Sequence, residues 1–153
     1  MIKRILAGLF ALLLLVSCNK TTPAGFKGTY TFKTGGYITV VDGMQTYERH
    51  LVPEIGQMHV LPDGGNKMVV TMNISGGDPV VFSATVEDGK LVLDPVRRTV
   101  SVTLDIEDLT TLSYTLDVSG EGRKMNNIIL FDMKYRGDNV KKSDVRCVAT
   151  SNE

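Results

Sequence analysis

The sequence predicts an all-β domain, a small antiparallel up-and-down barrel of eight to ten strands. Three observations carry that expectation. Apolar and polar residues alternate with period two in one segment after another. Short turn signals separate those segments. No stretch after the first eighteen residues keeps a helical period over ten positions.

The segments expected as strands are 28–34, 37–41, 45–51, 56–61, 67–74, 79–87, 90–94, 98–106, 110–119 and 125–136. In Met68, Val70, Met72 and Ile74 every second residue is apolar, with Thr71 and Asn73 between them. Val80, Phe82, Ala84 and Val86 repeat the pattern against Ser83 and Thr85. Val100, Val102, Leu104 and Ile106 alternate with Ser101, Thr103 and Asp105. Leu112, Tyr114, Leu116 and Val118 alternate with Ser113, Thr115 and Asp117. Such alternation marks strands with one buried and one wet face. Asp88-Gly89 between Val86 and Leu91 is a two-residue hairpin signal, and Asp42-Gly43 is another. Asp63-Gly64-Gly65-Asn66, Glu107-Asp108 and Gly120-Glu121-Gly122 read as further turns. Short turns join neighbours, so the strands form a meander. Closure of that meander removes its exposed edges.

Alternation places Tyr30, Phe32, Met68, Val70, Met72, Phe82, Val102, Leu104, Tyr114, Leu116, Phe131 and Met133 inside. That interior is rich in methionine, which suits adaptable apolar pockets and also fills gaps in solid cores. Eight strands enclose a space that side chains can just fill, or that holds one small ligand. With inward residues this large, a mostly filled interior is favoured. Near residues 128–133 apolar side chains fall on both faces, so something is expected to cover the outside there. The polar residues 138–153 are expected to be that cover or a tail.

The first eighteen residues have a different character. Lys3 and Arg4 precede twelve apolar residues, Ile5 to Val16, and Ser17-Cys18 follow. That is the layout of a secretory signal. Twelve helical residues rise only about 18 Å, whereas a bilayer core needs about 30 Å. Leu15-Val16-Ser17-Cys18 resembles a bacterial lipobox, which implies a lipidated Cys18 and removal of residues 1–17. Two or more acyl chains make an anchor that does not readily dissociate. The expected organisation is a signal peptide (1–17), a lipidated cysteine and tether (18–25), a barrel (26–137) and a polar tail (138–153). A tether from Asn19 to Gly25 reaches roughly 25 Å when extended. Removing residues 1–17 leaves 136 residues with 15 basic and 17 acidic side chains. That is one domain, with no electrostatic case for nucleic acid. With Cys18 lipidated, Cys147 has no partner for an intrachain disulfide.

Gly28-Thr29-Tyr30 stands where calycins carry a Gly-x-Trp motif in their first strand, and Tyr135-Arg136 ends the last expected strand. The chain resembles the calycin superfamily, and in particular lipocalin-like lipoproteins of outer-membrane-bearing anaerobic bacteria. Tyr replaces Trp, and the chain has no Trp at all. The resemblance covers roughly residues 25–137. It implies a small barrel, an Arg packed over the aromatic ring of the first strand, and a small apolar ligand.

Chemistry-bearing patterns are few. Glu48 and His50 share a strand face, where a solvated polar pair is favoured over a metal or acid–base pair. Asp132 is expected to pair with a cation on the outer face, and Arg97-Arg98 to form a solvated turn. No Gly-x-Ser-x-Gly elbow, phosphate loop or metal-ligand spacing occurs. No catalytic residue, cofactor or metal is therefore expected. Two or more inward ionisable side chains at one mouth would favour an enzyme.

The expected function is that of an envelope lipoprotein held by Cys18, in the outer membrane and facing the periplasm. Its barrel binds a small apolar ligand, with Tyr30, Met68, Met72, Phe82, Leu104, Tyr114, Phe131 and Met133 lining the interior. The alternative is a structural or partner-binding barrel with a filled core.

Overall fold

The computed structural model describes residues 21–104, 107 and 109–153. Residues 1–17, Cys18 and the start of the expected tether lie outside the described residues, as does Ile106. A short helix α1 (Pro23–Phe26) precedes nine strands: β1 (Gly28–Asp42), β2 (Gln45–Leu51), β3 (Ile55–Pro62), β4 (Lys67–Ile74), β5 (Val80–Glu87), β6 (Lys90–Thr103), β7 (Thr111–Met125), β8 (Ile128–Arg136) and β9 (Val140–Ser151).

All nine strands belong to one antiparallel sheet, in the order β2-β1-β3-β4-β5-β6-β7-β8-β9. β9 also pairs with β1, and β2 with β6, so the hydrogen bonding runs round a ring. It is not a regular barrel, because two long strands each serve two partners along one edge. β1 pairs with β3 over Gly28–Lys33 and with β2 over Tyr37–Asp42. β6 pairs with β5 over Lys90–Leu93 and meets β2 only at Val102 and Thr103. The lower half is thus an eight-stranded ring. In the upper half β2 alone stands between β1 and β6.

Both long strands change partner at residues that allow it. β1 does so at Gly35-Gly36. Gly36 has φ +138°, and a Cβ there would collide with the Asp144 carbonyl of β9, so only glycine fits. In β6 the register shifts between Leu93 and Val96, across Asp94-Pro95. Proline has no N–H to continue a ladder.

Four expectations are corrected here. The segments 28–34 and 37–41 are one strand, and 90–94 joins the expected 98–106 in one strand that ends at Thr103. Gly120-Glu121-Gly122 is no turn but the interior of β7. Gly120 and Gly122 face inward opposite Met133 and Phe131, so they supply space for two large side chains. Residues 138–153 are neither tail nor cover: β9 lies between β8 and β1 and buries Val145, Cys147 and Ala149. Its charged residues alternate outward, which is why it reads as polar. The last residues of the expected tether form α1, and Phe26 is fully buried.

The Asp88-Gly89 turn forms as expected, whereas the one expected at Asp42-Gly43 falls a residue later, at Gly43-Met44, because Asp42 still pairs with Gln45. Asp88 and Gly89 both take positive φ between the paired Glu87 and Lys90, the conformation a type I′ turn requires. Asn126 (φ 55°) opens another two-residue turn between Met125 and Ile128.

Candidate functional site

Tyr30, Met68, Met72, Phe82, Phe131 and Met133 all point inward and are 2% exposed or less. A cavity wide enough for water would leave its lining with free surface. These side chains have none to spare, so they pack against one another as a solid core. Two expected members differ. Tyr114 is half-buried at the edge of the core. Leu104 is 40% exposed, because β6 ends at Thr103 and the inward alternation ends with it.

The end of the ring where the chain enters is closed by α1. The Tyr30 hydroxyl donates to the Phe26 carbonyl at 2.8 Å. Lys124 Nζ donates to the Gly25 carbonyl at 2.6 Å and to the Tyr30 hydroxyl at 3.2 Å. The same ammonium lies 5.6 Å from the Tyr30 ring centroid. The resemblance implied an arginine at the end of the last strand in this role. Here a lysine of β7 fills it, while Arg136 sits exposed opposite Asp117.

A polar cluster occupies the level where the sheet divides. Glu54, in the connection from β2 to β3, takes a two-pronged contact from Arg98: Nη1 donates to Oε2 at 3.1 Å, and Nη2 to Oε1. The two side chains are 20% and 13% exposed. Thr34 N–H donates to the Glu54 carbonyl at 2.8 Å, and Glu54 N–H donates to Thr34 Oγ1 at 3.0 Å. Burial, and then the Glu54 charge, push the Cys147 thiol up to about 12 and raise the Tyr135 phenol as well. The space left between Thr34, Glu54, Val100 and Tyr135 is about 10 Å³, roughly the room one water needs. The expected solvated turn at Arg97-Arg98 is therefore part of β6, with Arg98 turned inward. Its even-numbered phase, shared with Val100 and Val102, was the available signal.

Other expected pairs sit on the outside. His50 Nε2 lies 3.2 Å from Glu48 Oε1, both side chains more than half exposed. Asp132 sits opposite Arg146. Among the described residues, no group of three or more His, Cys, Asp or Glu could hold a metal ion. No helix of the described residues is long and apolar enough to cross a membrane.

A large apolar concavity lies on the outer wall. A groove of about 660 Å³ runs over β1 and β9 beside the start of β3. Ile55 and Val148 form its apolar sides, threonines and Gly35 its floor, and Lys33 and Arg146 its cations; no carboxylate lines it. Gly35 carries no side chain toward the solvent, and β3 ends its pairing with β1 there, so the wall is dented. Sequence alternation marked Thr31 and Lys33 as outward, but Ile55 lay outside the expected strands and Arg146, Val148 and Thr150 in the expected tail. It could not mark them as one groove, since they come from three strands brought together by closure.

No protein-family model matches this chain, and no solved structure matches it.

Proposed function

We propose that this chain is a lipid-anchored envelope protein, held at a membrane through Cys18, whose calycin-like domain binds a small apolar ligand without catalysing a reaction. The lipobox-like Leu15-Val16-Ser17-Cys18 and the short tether support the anchor. The packed interior moves the expected ligand site outward, and the groove over β1 and β9 is the observation that carries the binding function. It combines apolar sides with a few polar groups, the usual make-up of a ligand pocket, at a usual volume.

Catalysis is the weaker alternative. Glu54 and Arg98 converge inside, but each is the other's partner, and the space beside them admits nothing larger than a water. The Cys147 thiol is held protonated, and the thiolate is the nucleophile.

A ligand that hides some 200 Å² of apolar surface gains about 5 kcal/mol before association costs. Binding is therefore expected in the micromolar to millimolar range. The mature chain with Cys18→Ser should be titrated with Nile red and a panel of apolar compounds. Saturable binding lost in Val148→Asp supports the groove. Absence of saturable binding overturns it and favours the partner-binding alternative, which the filled core also suits.

A further inference from the structure

The groove belongs to a broader wall with an unusual composition. Register places Ile55, Lys33, Val148, Leu130 and Arg123 in one row across β3, β1, β9, β8 and β7. All five face outward. The neighbouring row toward α1 ends in Ile128 and Met125. Ile55, Val148 and Met125 are 53%, 40% and 57% exposed, and nothing in the described chain covers them. The apolar outer face of β8 was expected to have a cover; β9, the segment expected to supply it, lies beside β8 instead.

The wall also carries cations whose charge is not paired. Lys33, Arg123 and Arg146 project from it, and none of them makes an ion pair among the described residues. The acids nearby are Asp132, opposite Arg146, Asp144, two residues from Arg146 on the same outer face of β9, and Glu121, which pairs with Lys90 at 3.5 Å. The wall also lies where the anchor enters. β1 begins at Gly28 directly after α1, and the groove opens three residues later at Thr31. Cys18 precedes Thr21, the first described residue, by three positions, or about 10 Å of extended chain.

We propose that this wall lies flat on the bilayer that holds Cys18, with Ile55, Val148, Leu130 and Met125 among the acyl-chain ends of the headgroup layer and Lys33, Arg123 and Arg146 on acidic headgroups. The inference rests on the anchor and the groove proposed above, and it names their ligand as the acidic lipid of that membrane. An apolar face rimmed by cations is the composition that suits an anionic interface. Each cation near such a surface raises the binding constant roughly fivefold. The anchor removes most of the entropic cost, because the wall is already at high effective concentration.

The chain has no tryptophan, so a single introduced one reports its own surroundings. Lipidated full-length protein carrying Val148→Trp is reconstituted into phosphatidylcholine vesicles containing 30% phosphatidylglycerol, part of it brominated. Val81→Trp is the control. Val81 is 55% exposed on β5, which lies diametrically across the ring from β9. The expected result is quenching several-fold stronger at position 148 than at 81, reduced by Lys33→Glu with Arg123→Glu and by vesicles of phosphatidylcholine alone. Equal quenching at the two positions overturns the proposal. So does a blue-shifted but unquenched position 148 with doubled particle mass, which assigns the wall to a second copy. Lipidation is read separately, from the mass of the N-terminal peptide. An unmodified Cys18 ends both the anchor and this inference, whereas dye binding to the groove without quenching at 148 leaves the groove and ends only the inference.

Discussion

Gly122→Ala should destabilise the domain, although alanine in a strand is ordinarily the better residue by roughly 0.5–1 kcal/mol. The sign is reversed by what a Cβ would meet. It would lie 2.5 Å from Phe131 Cε1, 2.7 Å from Cδ1 and 2.9 Å from Ile129 Cγ2. Phe131 and Ile129 are both fully buried, so neither can swing toward solvent. Overpacking of this kind costs about 1–3 kcal/mol, which exceeds the backbone gain. For a domain of this size each kcal/mol lowers the melting temperature by about 3–5 °C. Thermal and urea unfolding, followed by circular dichroism, should therefore show a loss of several degrees. Phe131→Leu added to Gly122→Ala should recover part of it, because the ring edge that clashes is gone. A Gly122→Ala domain as stable as its parent would refute the large–small pairing across β7 and β8. It would restore the view of Gly120-Glu121-Gly122 as a turn.

Phe82→Ala should cost about 3–5 kcal/mol, since the ring is fully buried; Leu104→Ala should cost under about 1 kcal/mol, since Leu104 lies beyond the end of β6. Equal losses in chemical denaturation would mean that the strand end is misplaced. The domain should also lose stability in alkali. Cys147 is raised from its ordinary 9.0 to about 12, so the unfolded chain releases its thiol proton first. Its contribution is complete below about pH 9 and is lost as the pH rises toward 12. Tyr135 shifts in the same direction and adds to the loss. Melting curves from pH 7 to pH 11 should fall, and Cys147→Ala should fall less steeply.

Much of the fold was legible because alternation is a local signal. The strands at 45–51, 67–74 and 80–87 stand within a residue or so of their expected limits. The inward phase holds for ten of the twelve expected core residues. The misses share a cause, which is that partners decide what a local pattern cannot. Glycine marks a turn in isolation, but Gly120 and Gly122 are set by Met133 and Phe131 across the sheet. β9 looked too polar for a central strand because only Val145, Cys147 and Ala149 of its inward face are apolar, and two of these are small. The division of the sheet was not legible either. It needs the fold to show that β1 changes partner after Lys33 and β6 after Leu93. The site was least legible of all, since Ile55, Lys33, Val148 and Arg146 are far apart in sequence.

The division of the sheet explains why the interior is sealed and the wall is not. Where β3 leaves β1, the backbone of residues 52–54 turns across the opening and needs hydrogen-bond partners in a partly buried place. Val52 N–H finds the Ser101 carbonyl at 2.8 Å, and Thr34 and Glu54 satisfy each other. Glu54 brings a charge with it, and Arg98 is the compensation. A buried ion pair adds little net stability compared with apolar side chains, yet removing either partner leaves a costly lone charge. What the pair does is fix the connection between β2 and β3 over the opening. With that end strapped and the other closed by α1, a ligand has no open path to the methionines within. On the outside the same division leaves β1 without β3 beyond Lys33, and with Gly35 as its next outward residue. The dent that forms the groove is thus the outer counterpart of the strap that seals the core, and the proposed binding site lies on the wall instead of in the interior.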